Sequence, residues 1–423
     1  MQITRGRVAI GLISKLLIAT LGFVAPVKAE PLDQTVGQVL RVDLNNLAAP
    51  NPEYEGRPRE MNFSRPRDRT PDDRPIVPEG FSVALYAEGL VHARNMAVAP
   101  NGDVFIAEPR ANRITILRDS DQDGVADEIF TYIDNLAMPQ GIAFIEDAVL
   151  ISDKVGVRKY PYSEDATVTP SSSQLLTPLG ALGDPMTRFH WSRNIAVHPD
   201  GSRFYVGVGS ATNLDEDPEP YASIQEFSMS GGPGRTFASG LRVPTEVKFY
   251  PGTEDLYTVV NERDRQGNEL VPDYFTRVPD GAFFGWPYSY MGSNPQPGFA
   301  DKRPDLVASA IAPDVPFLSH SAAIDLEFYT GEQFPEAYRG GAFVTLHGSW
   351  NATQPRGYSL VYVPFKEGRA VGEYQVFAVG FWNGDAENSQ VWGRPAGVVM
   401  LPDGSLLLSD DVGQTVWRIT YEG

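Results

Sequence analysis

One pattern returns six times along this chain: an apolar pair, a turn, then a run rich in β-branched and aromatic residues. It reads "MAVAPNGDVFIAE", "GIAFIEDAVLISD", "IAVHPDGSRFYVGVGS", "VKFYPGTEDLYTVVNE", "LEFYTGEQFPEAYRGGAFVTLHGS" and "VVMLPDGSLLLSDD", starting near residues 96, 141, 195, 247, 326 and 398. Four of the six carry Pro with Gly, Asn-Gly or Asp-Gly at the tip, the chemistry of a tight hairpin. The flanking runs alternate as half-buried strands do. A four-stranded blade takes roughly 40–50 residues, so six units at this spacing argue for radial repetition. Blades packed face to face also protect most strand edges. The expectation is an all-β, six-bladed β-propeller over residues 80–423, closed by "FSVALYAEGL" or by the C-terminal "TVWRITY". An array of hairpins in a sandwich is the alternative. The longer intervals hold insertions, notably "RDRQGNELVPDYFTRVPDGAFFGWPYSYMGS".

The sequence ahead of the repeats divides in two. Residues 1–29 open with Arg5 and Arg7, continue apolar and end in Val27-Lys28-Ala29, as a cleaved export signal does. Lys15 interrupts the apolar stretch, which argues against a stable membrane span. The expectation is a periplasmic or secreted protein. Residues 30–79 are rich in proline and charge without apolar period, as in an extended N-terminal arm or linker. Removing the signal takes away four cations and no anions, so the formal charge goes from −19 to −23. Such acidity disfavours nucleic acid and anionic membranes and suits a basic protein partner. With no cysteine there is neither thiol catalysis nor a thiolate metal site.

Polar residues stand just before several repeats: Arg94-Asn95, Pro139-Gln140, His190 to Asn194, Arg242, and Trp392-Gly393-Arg394. If the repeats are blades, these residues meet at one end of the axis. Arginines offer forks for carboxylates, and a neutral histidine accepts a proton near neutral pH. The competing reading is that Arg242 and Arg394 satisfy strand-end carbonyls while His190 packs on Trp191. Separately, "DSDQDGVADE" sets Asp119, Asp121, Asp123 and Asp127 around Gly124 in the DxDxDG spacing of a calcium loop. Asp410-Asp411 in "LLLSDD" read as a strand end that caps or turns.

The segments "HWSRNIAVHPDG", "ASGLRVP", "VVNERD", "FFGWPYSY", "HGSWN", "WGRPAGV" and "GSLLLSDD", in that order, resemble the sorbosone dehydrogenase branch of the soluble quinoprotein sugar dehydrogenases. The resemblance implies a six-bladed propeller that oxidises an aldose or sugar aldehyde with PQQ and calcium. It implies His190 as general base and Arg242 as the arginine beside the reacting quinone carbonyl. Gln140, Trp350, Arg356 and Arg394 are then candidates for holding the cofactor, with Gln140 near a family glutamine that orients the histidine. Glu262 and Asp264 would support the catalytic calcium. Electrons would pass to a basic cytochrome or other acceptor. The chain departs from the pattern at Val243, where related glucose enzymes often have Asn, and near "HGSWNATQPRG", which lacks their Lys. Those departures motivate two alternatives, a non-catalytic binding propeller and a calcium-dependent lactone hydrolase.

Overall fold

The structure is a computed structural model that describes residues 34–50, 61–169, 172–187 and 189–423. The expected signal lies outside the described residues.

Each hairpin tip closes as its sequence requires. Ala99 N–H donates to Asp103 O (2.8 Å), His198 N–H to Arg203 O (2.9 Å) and Leu401 N–H to Ser405 O (2.8 Å). Gly102, Gly201 and Gly404 take the positive φ of these turns. The tips join the first and second strands of antiparallel sheets. The first blade is Met96–Val98, Val104–Glu108, Arg113–Arg118 and Glu128–Ile133. Five more sheets follow, their innermost strands at Ile142–Ile145, Ile195–Val197, Val243–Phe249, Ala323–Phe328 and Pro395–Met400. Second strands such as Val104–Glu108 and Ala342–Leu346 are buried throughout, because both faces meet a neighbouring blade. The apolar side chains accordingly form six clusters, each between two consecutive blades.

The two candidate closing strands share one sheet. Phe81–Glu88 pairs antiparallel with Thr415–Tyr421, from Phe81↔Tyr421 to Glu88↔Thr415, and completes the sixth blade. The preceding arm is bound to the surface by its backbone. Val39–Leu40 adds a fifth strand to the fifth blade, and Arg65–Pro66 runs parallel to Gln390–Val391. Arg67 grips Asp73 with two 2.6 Å bonds, which hold the Asp73 carboxyl below the usual carboxylate range. The longest insertion, within the fourth blade, carries the hairpin Ser289–Tyr290/Asn294–Pro295 and a short helix, Pro304–Ser309.

Every blade contributes to a polar ring on the axis. Gln140 Nε2 donates to Asn95 Oδ1 (2.5 Å), Asn95 Nδ2 donates to Glu246 Oε2 (2.9 Å), and Asn194 Nδ2 donates to the same oxygen. Glu246 hydrogen-bonds Asp325, which accepts Val398 N–H from the sixth blade at 2.9 Å. All five side chains are buried. Burial pushes both carboxyls up, Glu246 further because Asp325 faces it. Two carboxyls in contact in a desolvated place hold a proton between them.

Candidate active site

A cavity of about 230 Å³ opens above this ring, where the innermost strands begin. Its walls include Arg94, His190, Trp191, Arg242, Glu262, Asp264, His320 and Trp350. The short polar segments ahead of the first, third, fourth and fifth blades supply most of them.

His190 has φ 49°, and its position is fixed from both sides. The buried Arg193 guanidinium donates to His190 O (2.8 Å) and to Leu182 O (3.0 Å), pinning the backbone. Gly209 lets the histidine approach, since a Cβ there would lie 2.8 Å from His190 Cβ. His190 Nδ1–H donates to Ser210 O at 2.7 Å, leaving Nε2 as the acceptor toward the cavity. Burial, with the nearby Arg242 charge, pushes the imidazole down to about 4, so it is neutral at physiological pH.

Arg242 is held by donation to Asn213 O (3.1 Å), Asn213 Oδ1 (2.8 Å) and Glu262 O (2.6 Å), and lies 3.4 Å from Asp264 Oδ2. Asp264 is also 3.7 Å from His320 Nδ1. Burial opposes its ionisation, but His320 and Arg242 outweigh that and hold the carboxyl below its ordinary value. Asp273, on the cavity floor, accepts Glu262 N–H (2.8 Å) and Ala322 N–H (2.7 Å), and burial raises it to about 7. Glu262 Oε2 accepts from Arg263 Nε (3.1 Å), whereas its buried Oε1 has no partner.

On the opposite wall Arg94 lies over the Trp191 ring at 5.4 Å and is bonded to Asp411 at 2.8 Å. Asp411 also receives His347 Nε2 (2.9 Å) and His92 Nε2 (3.2 Å). Burial and the adjacent arginines push both histidines down to about 3, and Asp411 is held well below the carboxylate range by its three donors despite its burial. Arg94 Nε is buried without a partner.

The sequence candidates thus separate. His190, Arg242, Trp350, Glu262 and Asp264 come together at the cavity. Gln140 does not touch His190; it bonds Asn95 in the ring. Arg394 lies outside the lining because its guanidinium donates to His347 O (2.9 Å) and Gly348 O (2.6 Å). Arg356 likewise is spent on Asn268 O (2.9 Å) and Glu269 (3.0 Å). Asp119, Asp121 and Asp127 bring oxygens within 4.8 Å of one another in an exposed loop of the first blade. Asp123 instead accepts Val125 N–H (2.9 Å) within the turn. Asp410 is a turn residue as read, accepting three backbone N–H groups, but Asp411 anchors the Arg94 wall. Sequence reasoning missed Arg94 as the wall arginine, Asp273 and His320. His320 had a signal: "LSHSAAI" precedes the fifth blade as the other polar segments precede theirs.

A family described as TrAA12-like matches residues 293–422, and a domain of unknown function (DUF7133) matches residues 74–186. An uncharacterized protein of Borreliella burgdorferi is 26% identical over 355 residues, covering 82% of this chain and 90% of that protein. The pyrroloquinoline quinone-dependent pyranose dehydrogenase of Coprinopsis cinerea is 24% identical over 81% of this chain, which spans 54% of that relative's length. The holo PQQ domain of the C. cinerea pyranose dehydrogenase superposes with a TM-score of 0.68 at 19% identity, covering 84% of this chain and 99% of that one. The chain shares the six-bladed β-propeller fold of that domain. The calcium structure of the Trichoderma reesei family AA12 enzyme has the same fold, at a TM-score of 0.70 and 18% identity over 84% of this chain and 98% of that one. Among the described residues no helix is long and apolar enough to cross a membrane.

The cavity suits a flat, anionic cofactor. Trp191 and Trp350 offer ring faces, and Arg94 and Arg242 offer positive charge. Two buried atoms on its wall, Arg94 Nε and Glu262 Oε1, lack partners, as groups awaiting a ligand and a cation do.

Proposed function

We propose that this protein is an exported, PQQ-dependent dehydrogenase that oxidises an aldose or a sugar aldehyde of the sorbosone type. The observation that carries the proposal is His190: a neutral imidazole, fixed through Nδ1 on Ser210 O, presenting Nε2 to a cavity beside Arg242. Similarity to the C. cinerea pyranose dehydrogenase supports the sugar and the cofactor. When bound, PQQ supplies a quinone that takes up two electrons and a hydrogen from the substrate carbon.

His190 Nε2 takes the proton from the substrate hydroxyl, or from the hydrate of an aldehyde, as the adjacent C–H bond breaks. Anionic groups placed in the cavity would offset the Arg242 charge and raise the basicity of His190. Arg242, fixed by carbonyls and Asp264, holds a positive charge that favours negative charge in the cavity at no reorganisation cost. Arg94 would hold a cofactor carboxylate through its free Nε, its direction set by Asp411 and Trp191. Glu262 and Asp264 would hold calcium, a Lewis acid in such a site. The Asp119, Asp121 and Asp127 loop is proposed to take a separate, structural calcium. Electrons leave to a basic cytochrome or comparable acceptor drawn by the acidic surface.

The test is a thermal titration of metal-free protein with PQQ, with and without calcium, followed by a dye-linked assay on aldoses and sugar aldehydes. A calcium-dependent rise in melting temperature is expected, because a ligand of the native state stabilises it by mass action. Absence of any PQQ response defeats the proposal.

A further inference from the structure

We propose that Phe63 of the N-terminal arm is a saccharide-stacking residue, forming with Trp350 a shelf at the cavity mouth for the second ring of an oligosaccharide. This rests on the sugar-dehydrogenase reading above and adds the length of the preferred substrate. Trp350 lines the cavity, and Phe63 stacks on it with centroids 5.5 Å apart and planes 13° from parallel. Phe63 is nevertheless 60% exposed. Its sequence surroundings, "REMNFSRPRD", are charged and build no core, so the stack on Trp350 accounts for one face of the ring and leaves the other to solvent.

The ring is also held still. Asn62 N–H donates to Trp350 O (2.8 Å), and Asn62 Nδ2 donates to Ala386 O (2.8 Å) and Thr353 O (3.1 Å). Arg65 N–H donates to Ser389 O (2.7 Å), where the arm joins the parallel bridge to Gln390–Val391. A flat ring fixed in one orientation loses little freedom when a ligand packs on it. One face of a pyranose carries mainly C–H groups, which suit the electron-rich face of an aromatic ring. Hydroxyls at the edge of that sugar need polar partners. Asn268 and Thr353, bonded to each other at 2.9 Å and to the arm through Thr353 O, stand beside the shelf. With the proposed PQQ taking part of a cavity of about 230 Å³, below the usual range of about 300–1,000 Å³, saccharide rings beyond the first would lie on the rim.

Calorimetric titration of the full chain with glucose, cellotriose and maltotriose tests this apart from turnover. One of the trisaccharides is expected to bind about 2- to 10-fold tighter than glucose, the range of one added aromatic contact. F63A should remove that preference while leaving glucose affinity and melting temperature unchanged, and F63W should keep it. Equal binding of all three sugars by the wild type, or a preference that survives F63A, overturns the inference. If PQQ still stabilises the protein in that case, the dehydrogenase reading stands without it. If neither PQQ nor any sugar binds, both fall.

Discussion

Replacing Asp411 with asparagine should test whether the Arg94 wall is one electrostatic unit. The Asp411 carboxylate, itself buried, serves Arg94 at 2.8 Å, His347 at 2.9 Å and His92 at 3.2 Å, with Arg94 and His347 only slightly exposed. An asparagine offers one oxygen and turns an N–H₂ toward groups that are themselves donors. Loss of a single charged hydrogen bond costs about 1.5–3 kcal/mol. Removing one partner of a buried ion pair costs about 3–5 kcal/mol, because the other charge is left unpaired. Three donors depend on this one group, and among the described residues Asp411 is the carboxylate paired with Arg94, so the larger figure is expected. In urea, with a slope at the upper end of about 1–3 kcal/mol/M for a chain of this length, this lowers the apparent midpoint by about 1–2 M. The double variant R94M/D411L removes both charges and should recover much of the loss, which a double-mutant cycle reads as coupling. D411N should also shrink the melting shift caused by PQQ, since Arg94 loses its direction. A midpoint change below about 0.3 M, or additive losses in the cycle, would refute the reasoning.

H190Q should lower kcat by about 10²–10⁴-fold while preserving the PQQ-induced melting shift, as loss of a general base does. His92, His190 and His347 are all depressed, to about 3, 4 and 3, so the native state refuses protons that the unfolded chain takes up below its ordinary histidine pKa. The histidine contribution is therefore complete above about pH 6.5 and is lost as pH drops toward 3, by up to about 1.4 kcal/mol per unit for each histidine; raised carboxyls such as Asp273 act oppositely in the same range, so the difference in urea midpoint between wild type and H190Q at pH 7 and at pH 5 isolates the His190 share. Glu246 is raised in the fold, which has the opposite sign: its contribution is lost as pH rises above the unfolded carboxyl value. E246Q keeps an oxygen for Asn95 and Asn194 and a donor for Asp325, so its stability should equal or exceed wild type at pH 8 by the same denaturation assay. G207A places a Cβ 2.4 Å from Pro244 O of the next blade and should cost about 1–3 kcal/mol, seen as a lower melting temperature.

The blades were readable because their code is local: an Asn-Gly or Asp-Gly tip, flanked by alternating apolar residues, closes the same hairpin wherever it occurs. His190 and Arg242 were readable because they stand at equivalent points of that repeat. The repeat placed Arg94 and Arg394 alike and only the family resemblance singled out Arg394, whereas in the structure Arg94 lines the cavity and Arg394 does not, for a physical reason. Which guanidinium is free depends on which backbone carbonyls surround it, and His347 O and Gly348 O are not written in side-chain types. Gln140 went to the ring rather than to His190 because its partner, Asn95, sits far from it in sequence and beside it on the axis. Asp273 escaped notice because it comes from an insertion whose path no repeat predicts. The arm reads as a solvated linker from composition, since its attachment to the fifth blade and to Gln390–Val391 runs through backbone hydrogen bonds that any sequence can make.

The ring of Asn95, Gln140, Asn194, Glu246 and Asp325 also decides the traffic of the reaction. A propeller axis left open would be a tube, with one end for substrate and the other for an electron acceptor. Here amides and carboxyls from five blades and a backbone N–H from the sixth fill it, so the cavity is a cup with one mouth. Under the proposed function, sugar, oxidised product and acceptor would use that mouth by turns. Under the proposed chemistry the two half-reactions are then separated in time by product departure, and initial rates at several acceptor concentrations should give the parallel double-reciprocal lines of a ping-pong enzyme.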